Sequence, residues 1–334
     1  MSEVHAYGAA AAGAELVPMQ YEPGALGADE VDVAVEHCGI CHSDLSMLND
    51  EWEMTQFPFV PGHEVVGTVT ATGDAVTQLK VGQRVGLGWH AGFCGSCSFC
   101  MSGDHNLCLE AQPTIVGRHG GFADRVRARE SAVIPLPEAL DPVTAGPLLC
   151  GGIAVFNPLV QFDVKPTDEV AVVGIGGLGH LALQFARAWG CRVTAFTSEG
   201  KREEALGLGA HETIDSRDPE AIAAAAGRFN LILSTVNVKQ DWNAYLGALK
   251  PKGRLHVLGV VTEALDLDVT PMLFGQYSVS SSPVGSPETI RKMLDFAARH
   301  GITTQVEQFP LSQVNEALTH LENGKARYRI VLSR

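Results

Sequence analysis

A chain of 334 residues can hold two domains, each with its own core. With 46% hydrophobic and 19% charged residues, the composition excludes a disordered chain. A formal net charge of −14 argues against nucleic-acid binding, which needs clustered Lys and Arg against phosphate.

Residues 1–150 read as short strands separated by Gly and Pro, at 31–36, 65–70, 84–88 and 122–127, with one short helix over 43–49. Arg125, Arg127 and Arg129 alternate as on the wet face of a strand. From Gly151 to Ser286 the pattern changes to strand–helix alternation, with strands at 169–174, 192–197, 231–235 and 255–259. Helices are expected at 178–189, 201–208, 220–226 and 241–249. Two more helices, 287–299 and 313–322, and a strand at 328–332 follow. This predicts an α/β protein with a mostly-β domain over 1–150 and 287–334 and a doubly wound parallel sheet over 151–286. No basic start leads into an apolar stretch, and glycines and Arg187 interrupt the most apolar segment, 169–189. Neither an export signal nor a membrane span is expected, and a reduced, cytoplasmic setting is the default.

Gly174-Ile175-Gly176-Gly177-Leu178-Gly179 follows a strand and opens a helix. In that context the glycines allow close backbone approach, and the helix N-terminus offers N–H donors to a pyrophosphate. The second strand ends in Ser198, where an NAD-preferring site usually carries a carboxylate, and Lys201 and Arg202 follow. A hydroxyl with two cations suits an adenosine 2′-phosphate, so NADP(H) is the expected cofactor. The competing reading leaves Lys201 and Arg202 as solvated helix residues beside Glu203 and Glu204.

Cys94, Cys97, Cys100 and Cys108 lie on one loop, a spacing that matches a closed four-thiolate zinc site. An iron–sulfur run would carry its fourth cysteine three residues on, followed by proline; here Leu109 follows Cys108. Cys41, His63 and Cys150 are scattered, and singly each reads as a structural residue. Together, two thiolates and an imidazole would leave a fourth zinc position open.

These motifs carry a resemblance: Gly39-Ile40-Cys41-His42-Ser43-Asp44, Pro61-Gly62-His63-Glu64, the four-cysteine loop, Leu148-Leu149-Cys150-Gly151-Gly152, the glycine-rich turn with His180, and Ala326-Arg327-Tyr328-Arg329. The chain resembles the zinc-containing medium-chain dehydrogenases/reductases over essentially its whole length. Within them it is most similar to the cinnamyl-alcohol-dehydrogenase-like branch and its bacterial NADPH-dependent aldehyde reductases. Cys₂His is the catalytic zinc set known for alcohol dehydrogenases themselves, so that assignment comes from the resemblance.

The resemblance implies a GroES-like catalytic domain, a Rossmann cofactor domain and two zinc ions per chain. It further implies reversible hydride transfer between NADP(H) and a primary alcohol/aldehyde pair, in a homodimer or homotetramer. Cys41, His63 and Cys150 would hold the catalytic zinc, with Glu64 as a transient ligand and Asp44 orienting His63. Ser43 would pass the alcohol proton, or serve as a helix N-cap. His42 and Arg329 would meet the pyrophosphate. Thr235, Val236, Asn237, Gly259, Val260 and Ser281 would line the cofactor groove, and Trp52 and Trp89 would wall the substrate pocket. The 269–277 stretch is a candidate subunit surface. Three positions depart from the family: Ser46 in place of a His at the outer end of the proton relay, Ala154 for Thr, and Ser281 for Gly. An NAD-dependent polyol or secondary-alcohol dehydrogenase and a non-catalytic nucleotide- or zinc-binding protein are the competing readings.

Overall fold

The computed structural model describes residues 3–334. They divide into two compact units, one of residues up to Ile153 together with Val284–Arg334, the other Ala154–Pro283. Among the described residues no single helix is long and apolar enough to cross a membrane.

The first unit is built on a seven-stranded sheet. In order it runs Val306–Pro310, Arg329–Ser333, Glu30–Ile40, Val65–Thr72, Arg84–Leu87 and Val133–Pro135. Arg125–Arg129 also pairs with Glu30–Ile40, so that strand is the hub. Alternation explains its role: Val31, Val33 and Val35 point into the core, as a strand with one buried face requires. Register then fixes the site. Cys38 lies opposite Val65 and Ile40 opposite Ile330. The chain therefore leaves one strand at Cys41, enters another just after Glu64 and begins a third at Arg329, all at one end of the sheet.

The arginine-bearing face of Arg125–Arg129 is not the wet face that alternation suggests. Arg127 donates to both carboxylate oxygens of Asp32, at 2.7 and 3.1 Å, and to the carbonyls of Pro23, Gly24 and Ala25. A distant loop covers the strand, and Asp32, itself buried, needs a cation beside it.

The second unit is a six-stranded parallel sheet ordered Glu212–Asp215, Arg192–Thr197, Glu169–Val173, Phe229–Ser234, Leu249–Val257 and Ser278–Ser281. The order reverses between the third and fourth of these, the switch point of a doubly wound fold. Val170–Val173 and Val193–Phe196 are nearly all apolar because helices cover both faces. Phe196 packs edge-on against Phe229 and Tyr245, at ring separations of 5.6 and 5.3 Å. Helix Gly179–Trp189 stops at Gly190 in a left-handed turn. The edge strands Glu212–Asp215 and Ser278–Ser281 have no apolar run to announce them.

Candidate active site and metal centres

The strand ends deliver their side chains to one point. The ligand atoms of Cys41, His63, Glu64 and Cys150 all lie within 4.8 Å of one another. Cys41 Sγ is 3.9 Å and His63 Nε2 is 3.3 Å from Cys150 Sγ. Tetrahedral zinc with arms near ~2.3 Å to sulfur and ~2.0 Å to nitrogen would space its ligands roughly 3.5–3.8 Å apart, so the set fits that ion. Cys150 arrives on a tight turn, Gly146–Leu149, and the helix Gly151–Gln161 follows it.

Asp44 holds this geometry. It is fully buried, and one carboxylate oxygen pairs with His63 Nδ1 at 3.0 Å and accepts the Gly62 N–H at 2.8 Å. Its other oxygen accepts the Cys41 N–H at 2.9 Å. One carboxylate thus ties both ligand segments together and turns His63 Nε2 toward the thiols. Helix His42–Leu48 is capped by Cys41 with Asp44 reaching back, so Ser43 is inside the first turn and does not cap it. The reason is that Asp44 already bonds the Cys41 N–H.

Glu64 lies under the cluster, buried and paired to Arg329. Gly39 makes room for it, since a Cβ there would sit 2.0 Å from Glu64 Oε2. That oxygen has no hydrogen-bond partner among the described residues, an unsatisfied acceptor beside three metal-ligand types. Arg329, which the resemblance puts at the pyrophosphate, donates from one guanidinium nitrogen to Glu64, and its Nε has no hydrogen-bond partner among the described residues.

The protons are shared unevenly. A hydrogen bond from Cys150 holds the Cys41 thiol well below its usual value, against burial and with help from Arg329 and His63. The same bond, with burial, pushes Cys150 up. Burial resists charging His63, yet Asp44 and Cys41 keep its pKa well above the ordinary imidazole. Burial raises Glu64 against the pull of Arg329. Trp89 packs edge-on to the His63 ring at 5.1 Å, and Trp52 packs edge-on to Trp89 with ring centres 6.3 Å apart.

Cys94, Cys97, Cys100 and Cys108 form a second group within the same 4.8 Å limit. Sulfurs of Cys94 lie 3.9 Å from Cys100 and 3.5 Å from Cys108. Backbone N–H groups of Ser96 and Cys97 pull the Cys94 thiol down to about 6, which favours the thiolate a metal binds.

In the second unit, Gly174–Gly179 forms the turn between strand Glu169–Val173 and helix Gly179–Trp189. A Cβ on Gly179 would stand 2.0 Å from the Gly174 carbonyl, so the turn can close only on glycine. Thr235 donates to the carbonyls of Val173 and Gly174, and Lys201 donates to Ile175 at 2.8 Å. Ser198 precedes the short turn Glu199–Lys201, and Arg202, exposed, faces Glu199 at 3.9 Å. Val236 and Gly259 meet closely beside the same turn. His42 begins helix His42–Leu48, Ser281 ends strand Ser278–Ser281, and Asn237 and Val260 lie just past strands Phe229–Ser234 and Leu249–Val257. The sequence reading did not anticipate Glu51, which accepts the Ser46 hydroxyl, or His256, buried between Ser280 and Ser282. No spacing rule links either residue to its partners.

The family model of the alcohol dehydrogenase GroES-like domain matches residues 27–138, and that of zinc-binding dehydrogenases matches 177–299. The chain is 59% identical over 331 residues to aldehyde reductase AdhA of Synechocystis sp., covering 99% of this chain and 98% of that one. It is 40% identical over 341 residues to alcohol dehydrogenase 9 of Catharanthus roseus, covering 98% and 94%. A Sorghum bicolor cinnamyl alcohol dehydrogenase superposes with a TM-score of 0.95 at 37% identity, over 99% of this chain and 98% of that one. The Helicobacter pylori CAD, solved in complex with NADP(H), superposes at 0.91 and 27% identity with the same coverage.

Proposed function

Because the chain belongs to the zinc-binding medium-chain dehydrogenase/reductase family, whose members include alcohol dehydrogenases and an aldehyde reductase, we propose that it reduces aldehydes to primary alcohols with NADPH, reversibly, and carries two zinc ions. The observation that carries this reading is the convergence of Cys41, His63 and Cys150 beside an unsatisfied Glu64 oxygen. Cys94, Cys97, Cys100 and Cys108 would hold the second ion, with no protein-free position for chemistry.

Zinc held by Cys41, His63 and Cys150 would supply Lewis-acid polarisation of the substrate oxygen, and NADP(H) would supply or accept the hydride. The protein's own part is positional. Asp44 fixes the His63 tautomer through Nδ1, so that Nε2 faces the cluster. Trp89 and Trp52 give the site an apolar wall, suited to the body of an aromatic or alkyl aldehyde. Ser43, whose hydroxyl lies 3.7 Å from Cys41 Sγ, gives the substrate oxygen its proton in reduction and takes it in oxidation.

NADP(H) preference rests on Ser198, in the place of the carboxylate that an NAD site usually carries at the strand end, with Lys201 anchored on the glycine-rich turn. Absorbance loss of NADPH and of NADH, each with benzaldehyde and hexanal, tests it. Faster NADPH oxidation is expected, and Ser198→Asp should swing the kcat/KM ratio toward NADH by roughly tenfold or more, about 1.4 kcal/mol of differential binding. Turnover with NADH alone would favour the NAD-dependent polyol or secondary-alcohol reading instead.

A further inference from the structure

Strand Leu249–Val257 packs Leu255 and Val257 into the core of the second unit and turns Arg254 and His256 to the opposite face. His256 has no exposed surface, so both of its ring nitrogens need partners within the protein. Nδ1 meets the Ser280 hydroxyl at 2.9 Å, and Nε2 meets the Ser282 hydroxyl at 3.0 Å. Arg254 donates to Ser280 Oγ at 3.0 Å and lies 4.0 Å from the centre of the Phe162 ring, which meets His256 edge-on at 5.0 Å. Burial and the Arg254 charge push the His256 pKa down to about 4, so at neutral pH one ring nitrogen donates and the other accepts. Because Arg254 already donates to Ser280 Oγ, that hydroxyl's own proton is assigned to Nδ1, which leaves Nε2–H to donate to Ser282.

The edge strand does not need these bonds in order to pair. Its parallel ladder runs from Ser278, opposite Arg254, to Ser281, opposite Val257. Ser282 lies one residue past the last ladder pair, and the His256 bond fixes it there. Ser278-Val279-Ser280-Ser281 buries little apolar surface to set the course of the chain beyond it, so the buried imidazole supplies a hold that the ladder lacks. That stretch lies where half of a dinucleotide must pass. The glycine-rich turn follows strand Glu169–Val173, and Ser198 follows the neighbouring strand Arg192–Thr197. With the pyrophosphate at the first and the adenosine ribose toward the second, the nicotinamide half runs the other way. Its path crosses the carboxyl ends of Phe229–Ser234, Leu249–Val257 and Ser278–Ser281.

We propose that His256 is a positioning residue for the cofactor: by holding Ser280 and Ser282 it sets the wall against which the nicotinamide half lies. This role rests on the hydride-transfer reading given above and deepens it. His256 is buried behind the two serines and acts through them.

Isothermal titration of the full protein with two ligands tests this role: NADPH, and adenosine 2′,5′-bisphosphate, which carries the adenosine half without nicotinamide. His256→Val removes both imidazole bonds from a strand that accepts valine, and Ser282→Ala removes the outer bond with His256 in place. Each variant should weaken NADPH roughly three- to tenfold and leave the bisphosphate within about twofold. The double variant should lose little more than His256→Val alone, because both changes act through one bond. His256→Gln, which restores an N–H donor, should regain part of the loss. Unchanged NADPH affinity in His256→Val and Ser282→Ala would overturn the role. So would equal weakening of both ligands with a lower melting temperature, the mark of a sheet loosened as a whole. Where the unaltered protein takes NADH instead, NADH and AMP make the same comparison. If it binds neither NADPH nor NADH, the reading on which the role rests fails, and the role with it.

Discussion

The two cysteine groups of the first unit differ in how the chain assembles them. Cys94, Cys97, Cys100 and Cys108 come from one loop, and no strand register is needed to bring them within 4.8 Å. Cys41, His63 and Cys150 come from three separate segments and meet only because the strands around Glu30–Ile40 end together. Partners differ as well. The loop thiols are steadied by backbone N–H groups, whereas the distributed set is steadied by buried Asp44 and by the Glu64–Arg329 pair. A local cluster is therefore suited to stapling a loop. A distributed one is suited to chemistry, because its surroundings can shape an open position and the charge around it.

Removing one ligand from each group sharpens the contrast. Cys150→Ser should cost several kcal/mol of transition-state stabilisation, roughly 10³-fold or more in kcat, with circular dichroism unchanged. Near-normal turnover in that variant would put the chemistry elsewhere. Asp44→Asn keeps the volume but loses the charge beside His63 and should lower metal affinity or kcat/KM by roughly 10–100-fold, measured by competition with a chelating dye. Cys108→Ser, in contrast, should act on stability first. If the loop loses about 2 kcal/mol, the calorimetric midpoint falls by roughly 4–8 °C while kcat changes only a few-fold. A larger effect on kcat from Cys108→Ser than from Asp44→Asn would erase the distinction between the two groups.

The same contrast explains what could be read from the sequence. Four cysteines on one loop and the glycine-rich turn after an apolar strand are short-range patterns, so spacing alone exposes them. The parallel sheet was legible in its central strands, which are apolar runs, and not at Glu212–Asp215 or Ser278–Ser281, whose polar edge sequences match loops equally well. Cys41, His63 and Cys150 had meaning only as a set, through the resemblance, because register between distant strands is invisible in any single segment. Arg127 was misread as a wet-face residue for that reason, since the carbonyls that cover it lie about a hundred residues away. The alternative reading of Ser43 as a cap fails because the helix is capped at Cys41, with the Asp44 side chain reaching back to the Cys41 N–H. Glu51 was overlooked because a surface carboxylate carries no signal until its partner is seen to be buried Ser46.

The central claim is that Cys41, His63 and Cys150 hold the ion on which hydride transfer depends, while the cysteine loop holds another that does not take part. Zinc per chain should be quantified by mass spectrometry alongside NADPH-dependent benzaldehyde reduction, in the unaltered protein and in Cys150→Ser. The account predicts two zinc ions with activity in the first, and one with none in the second. Full activity in Cys150→Ser with one zinc remaining would contradict it.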